Sequence, residues 1–133
     1  VREAEAGRAP LDLGPVEGIW AKYDGGAFQR INVSTGQGMF SADMDGNGLA
    51  ELIVDFGDVH GLWAFRNNAS WQKINKLSPG AMVGGDLDSN GKAEVIVDFG
   101  PGFGTWALRN DAAWARVNVV QSSALATGNL DAQ

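Results

Sequence analysis

Set against itself at an offset of 43 residues, the chain repeats its own chemistry along nearly its whole length. Asp12, Asp55 and Asp98 fall in register, and each is followed by an apolar residue and a glycine (Gly14, Gly57, Gly100). The same interval links Trp20, Trp63 and Trp106; Phe28, Trp71 and Trp114; and Asn32, Asn75 and Asn118. It also links Asp43, Asp86 and Asn129, and Asp45, Asp88 and Asp131. Three such units nearly exhaust the 133 residues. A chain of this kind folds as copies of one small unit, each burying its faces against the next.

One unit contains four strand-like pieces. In the third copy they are AMVGGDL (81–87), AEVIVDF (93–99), GTWALRN (104–110) and WARVNVV (114–120), separated by the turn signals DSNG, GPG and NDAA. Short β-rich runs at about ten-residue spacing predict an antiparallel four-stranded meander. The second piece is apolar nearly throughout, which suits a strand covered on both faces. Nineteen glycines punctuate the chain and no long stretch carries helical periodicity, so the expected class is all-β. A four-stranded unit of this length is that of a β-propeller blade.

The chain starts with APLDLG (9–14), which aligns with a second strand, and finishes with ALATGNLD (124–131), which aligns with a first strand. These are complementary parts of one sheet, and closing them against each other would cover an aggregation-prone edge. Three blades are too few for a ring, which takes four to eight. The favoured expectation is a six-bladed ring made by two chains that exchange terminal strands. The alternatives are a fragment of a longer protein, or a three-fold β-prism or β-trefoil. Repeats run at about 7–46, 47–89 and 90–132 within a single domain over 7–133. The opening VREAEA (1–6) is either a frayed terminus or the Glu-Ala scar of a yeast secretion leader.

A net charge of −6 argues against nucleic acid, whose phosphates demand a basic footprint, and against an anionic membrane surface. The absence of cysteine removes disulfides and thiolate metal sites. No apolar run reaches the ~20 residues needed to cross a bilayer as a helix.

Oxygen-bearing side chains alternate along two loops. One carries Asp43, Asp45, Asn47 and Glu51 around Gly48; the other carries Asp86, Asp88, Asn90 and Glu94 around Gly91. Positions 1, 3, 5 and 9 bear oxygens, glycine at 6 permits a sharp turn, and the backbone carbonyl at 7 (Leu49, Lys92) would complete a shell for a hard cation such as Ca2+. Position 12 is Val54 or Val97 inside a strand, which rules against an EF-hand. An Asx-rich turn needs only one or two such residues, and carboxylates confined together repel unless neutralised. Asn129 and Asp131 retain part of the pattern, but a third site at the closure lacks its second half.

The constellation D-x-D-x-N-G-x-x-E followed by an apolar strand and VDFG resembles the FG-GAP/VCBS repeat family across essentially all three units. The resemblance implies propeller blades with calcium bound between first and second strands, held by Asp43, Asp45, Asn47 and Glu51 and by Asp86, Asp88, Asn90 and Glu94. It also implies a binding or scaffold role, as in adhesion-receptor headpieces, fungal lectins and secreted bacterial proteins. Glutamate at position 9 is one carbon longer than the family's usual aspartate, which makes an indirect contact the expectation there.

Trp20, Trp63 and Trp106 lie in third strands, where they either fill the space between sheets or stack on sugar rings. Trp71 and Trp114, matched by Phe28, open fourth strands. Asp12, Asp55 and Asp98 end apolar strands before a glycine and either cap the turn or bond a ligand hydroxyl. DFG and GPGFG are turn chemistry, since no kinase-sized chain, P-loop lysine or helix accompanies them. His60 is the sole histidine, with Glu17 and Phe103 as its repeat counterparts, and no nucleophile motif is present; the chain is not expected to be an enzyme. Sequons occur at Asn32 and Asn68. The expectation is a secreted, calcium-stabilised, multivalent glycan-binding protein, with a non-catalytic protein-interaction or scaffold module as the rival.

Overall fold

The computed structural model describes residues 9–22 and 27–118. Residues 1–6, the 124–131 segment, Asn129 and Asp131 lie outside them. The described residues are all-β, with no helix: β1 (Ala9–Asp12), β2 (Ile19–Lys22), β3 (Phe28–Asn32), β4 (Gly38–Ala42), β5 (Glu51–Asp55), β6 (Leu62–Arg66), β7 (Ser70–Asn75), β8 (Ala81–Gly85), β9 (Glu94–Asp98), β10 (Thr105–Arg109) and β11 (Ala113–Asn118). They form three open antiparallel sheets of order β1-β2-β3, β4-β5-β6-β7 and β8-β9-β10-β11. The meander expected of the third copy is observed: β8, β9 and β10 are trimmed by a residue or two at an end where a flanking turn begins, and β11 starts one residue earlier than expected. Ile19, Leu62 and Thr105 open β2, β6 and β10 at the interval seen in the sequence.

Local chemistry sets the turns. Asn67 and Asn68 have φ of 50° and 55°, and Asn110 and Asp111 have 54° and 56°. Two consecutive left-handed residues match the twist of a tight hairpin, and Asn and Asp tolerate that region best after glycine. The Ala69 and Ala112 amides close these turns on the Arg66 and Arg109 carbonyls at 2.9 Å each.

The chain divides into two compact units, residues 1–39 with 48–78, and 40–47 with 79–133. In the first, Ile19, Leu52, Val54 and Phe65 form a buried cluster against which Ile31, Met39, Phe56 and Trp71 pack. Strands β2 and β3 thus meet β5, β6 and β7 through apolar side chains, each worth about 1.5–3 kcal/mol when fully buried. In the second unit Val95, Val97, Ala107 and Leu108 are buried. A Cβ on Gly84 would come within 2.6 Å of the Phe40 ring and 3.1 Å of the Ala42 Cβ, so only glycine lets β8 lie so close. All five residues of β5 and of β9 are buried, in line with their nearly continuous apolar sequence. Each of these strands nevertheless begins on a glutamate and ends on an aspartate, placing a buried carboxyl at both ends.

Candidate metal centres and an aromatic pocket

The second acidic loop joins β8 to β9, which pair from Ala81↔Asp98 to Gly85↔Glu94. Carboxylate oxygens of Asp86, Asp88 and Glu94 lie within 4.8 Å of one another, and those of Asp43, Asp45 and Glu51 do the same. Gly48 and Gly91 adopt φ of 89° and 88°, the left-handed turn expected at position 6. Backbone amides organise the second loop. Gly91 and Asn90 donate to Asp86 at 2.7 and 3.1 Å, Asn90 also donates to Asp88 at 3.3 Å, and Lys92 donates to Asn90 Oδ1 at 2.9 Å. The Asn90 amide group donates to Asn110 Oδ1. The Gly91 N–H, followed by that of Asn90, holds the Asp86 carboxyl below its ordinary value against a smaller desolvation effect. In the first loop Gly46 and Asn47 donate to Asp43 at 2.9 and 3.2 Å. The Ala93 amide reaches the Asp43 carbonyl at 2.8 Å, so strand β9 is entered beside residues of the other loop. Leu49 and Lys92 both sit exposed in their loops.

Glu94 separates these loops from ordinary Asx turns. It is fully buried; Oε1 accepts the Leu87 N–H at 2.7 Å, and Oε2 has no partner. A buried carboxylate oxygen left without a donor is costly. The residues therefore fit a hard cation, which would supply the missing charge at an oxygen already beside Asp86 and Asp88. The side chain at position 9 brings a carboxylate oxygen within 4.8 Å of those of Asp86 and Asp88.

The aspartates at the far strand ends are engaged differently. Asp12, Asp55 and Asp98 accept the N–H of Gly14, Gly57 and Gly100 at 3.0, 2.9 and 2.8 Å. Asp12 also accepts the Thr35 hydroxyl at 2.6 Å and the Gly36 N–H at 2.7 Å; Asp55 accepts the Ser78 hydroxyl at 2.8 Å. Burial raises the Asp12 carboxyl, but the Thr35, Gly14 and Gly36 bonds together outweigh it and hold the group below its ordinary value. Thr35 and Ser78 are themselves 43 residues apart, a signal of this staple present in the sequence but not used there.

The third-strand tryptophans are half-buried. Each donates its indole N–H to the carbonyl three residues earlier: Trp20 to Glu17 at 2.8 Å, Trp63 to His60 at 2.8 Å, and Trp106 to Phe103 at 2.7 Å. Arg30 and Arg116 lie over the Trp20 and Trp106 rings at 5.4 and 5.2 Å. Trp71 donates to the Ile31 carbonyl at 3.0 Å and packs against Phe65 and Phe56, with centroids 4.9 and 5.5 Å away. Trp114 meets Phe99 at 5.8 Å, and Phe28 is exposed under Lys22. The sequon residue Asn68 is exposed at a hairpin tip.

A pocket of about 220 Å³ opens in the first unit, lined by Asn32, Ser34, Phe56, His60, Trp63 and Trp71. Sequence reasoning singled out both tryptophans but did not group them with the other four, which sheet packing alone brings near. No family model, curated protein or solved structure matches the chain.

Proposed function

We propose that this chain is a secreted carbohydrate-binding repeat protein whose β-propeller-type blades are stabilised by calcium, two chains completing a six-bladed ring. The binding reading is carried by the aromatic pocket. Its two indoles are fixed by bonds to backbone carbonyls, so they offer faces and edges rather than donors, and an amide, a hydroxyl and an imidazole surround them. Such rings suit the apolar face of a pyranose, and a few fixed polar groups suit its hydroxyls.

Calcium's part is structural. Asp86, Asp88, Asn90 and Glu94 would hold one ion and Asp43, Asp45, Asn47 and Glu51 another; the bound ion supplies positive charge that neutralises the converging carboxylates. The loop between β8 and β9 would then be locked without disulfides. Extracellular modules of this type bind calcium at roughly 10⁻⁴–10⁻³ M, so millimolar calcium suffices. The resemblance to FG-GAP/VCBS repeats points the same way. Weak sites on one rigid assembly gain avidity without new contacts.

The test is a glycan array read in millimolar calcium, with free sugar as competitor. Binding that sugar abolishes is the expected result. A clean array together with a specific protein partner would replace this reading with that of a non-catalytic interaction or scaffold module.

A further inference from the structure

The pocket's polar rim is peculiar to one pair of repeats. In the sequence, the 43-residue counterparts of Asn32, Phe56, Trp63 and Trp71 are Asn75, Phe99, Trp106 and Trp114, so four of six lining residues recur. The counterparts of Ser34 and His60 are Leu77 and Phe103, which carry neither hydroxyl nor imidazole. We infer that Ser34 and His60 determine sugar selectivity in this pocket, and that it takes a single uncharged pyranose at a glycan terminus. This inference rests on the carbohydrate-binding reading above.

Both residues lie in hydrogen-bonded turns. His60 sits in a turn closed by Phe56 N–H on the Gly61 carbonyl at 2.9 Å and Gly61 N–H on the Gly57 carbonyl at 2.7 Å, and latched by the Trp63 indole on the His60 carbonyl. Ser34 follows Asn32, whose Oδ1 accepts the Ser34 amide at 2.8 Å. That bond uses the Asn32 oxygen and leaves its amide nitrogen as the donor. The polar atoms these residues can offer a ligand are thus Asn32 Nδ2, Ser34 Oγ and the His60 ring nitrogens, carried on backbone segments that hydrogen bonds already order. A backbone ordered in advance lowers part of the ordering cost of binding.

Size and charge choose the ligand class. A volume of about 220 Å³ lies below the ~300–1,000 Å³ of sites for drug-sized molecules, and matches one ring rather than a chain of them. Among the described residues no aspartate, glutamate, lysine or arginine lines the pocket, and the chain carries a net charge of −6. An acidic sugar would meet no fixed cation among the lining residues and a repulsive field around them.

The test titrates calcium-loaded protein with methyl glycosides of neutral hexoses, N-acetylhexosamines and uronic acids, followed by tryptophan fluorescence. Ser34→Leu, His60→Phe and the double variant install residues that the repeat already uses at these positions, and a melting curve checks that each variant folds. The expected result is saturable binding of a neutral glycoside, weakened about tenfold by either change and lost in the double variant. A uronate binding as well as the neutral sugars would overturn the ligand class. Undiminished binding by a folded double variant, with array binding intact, would overturn the pocket assignment and leave the carbohydrate reading standing. If neither a glycoside nor an array glycan bound the folded parent, the carbohydrate reading and this inference would both fall.

Discussion

Strand β9 begins at a buried glutamate and ends at a buried aspartate, and the two ends solve the same electrostatic problem by different means. At the far end, Asp98 accepts the Gly100 amide; its counterpart Asp55 adds the Ser78 hydroxyl, and Asp12 adds Thr35 and Gly36. Asp12 and Asp55 thus have donors of the protein's own on both carboxylate oxygens. At the near end, Glu94 receives one amide bond and keeps Oε2 empty-handed among two further carboxylates. Identical charge and nearly identical burial therefore mean different things. What distinguishes a structural carboxylate from a candidate ligand is whether its second oxygen already has a donor.

This contrast can be broken most forcefully with a chelator. Ligand linkage gives about 1.4 kcal/mol for a site held at ten times its Kd, so stripping millimolar calcium from two such loops is expected to lower Tm by roughly 10 °C in a domain of this size. Glu94→Gln should raise the calcium concentration needed for half-maximal stabilisation by tenfold or more, and should raise the chelated protein's Tm, because the neutral amide removes a buried charge that lacks a donor. Equal melting with and without calcium, in parent and variant alike, would erase the difference between the two ends. Next in size is Asp55→Ala. It leaves the Gly57 N–H and Ser78 hydroxyl without their acceptor, at a cost of about 1–3 kcal/mol, and the loss should be the same in calcium and in chelator. A calcium-dependent loss would show that the aspartate end is coupled to the ion.

The smallest effect concerns acid. The Asp12 carboxyl is held below its ordinary value in the folded chain, so its stabilising contribution is fully present above the unfolded value and disappears as pH falls through the lower folded one. Asp12→Asn should flatten that limb of the stability–pH curve, measured by denaturant titration in chelator from neutral pH down to pH 2. A variant whose curve runs parallel to that of the parent would place the acid sensitivity elsewhere.

The strands were legible because β-branched runs lie between Asn-Asn, Asn-Asp and glycine turns, all local features. Gly48 and Gly91 were legible for the same reason: an alternating acidic loop has to bend at its sixth residue. The fate of each carboxylate was not legible. Glu94 and Asp98 both read as acidic residues flanking VIV, and only the hairpin geometry reveals which oxygen lacks a donor. The pocket was hidden more deeply. Asn32 and Ser34 stand more than twenty residues before Phe56, and the packing of β2 and β3 against β5, β6 and β7 is what brings their sheets together. The tryptophans were read as filler or as sugar platforms; their bond to a carbonyl three residues back is a third use, visible only once the turn is built.

The staples from Asp12 to Thr35 and from Asp55 to Ser78 each bind the end of a strand to the linker that leaves the same sheet. Under a pull on the two ends of the chain, load entering such a linker passes first into a carboxylate–hydroxyl pair, before any strand ladder is asked to shear. The joints would act as sacrificial fasteners, giving way singly and reclosing when tension drops, so that a repeat array of this build can stretch at its seams while its sheets stay whole.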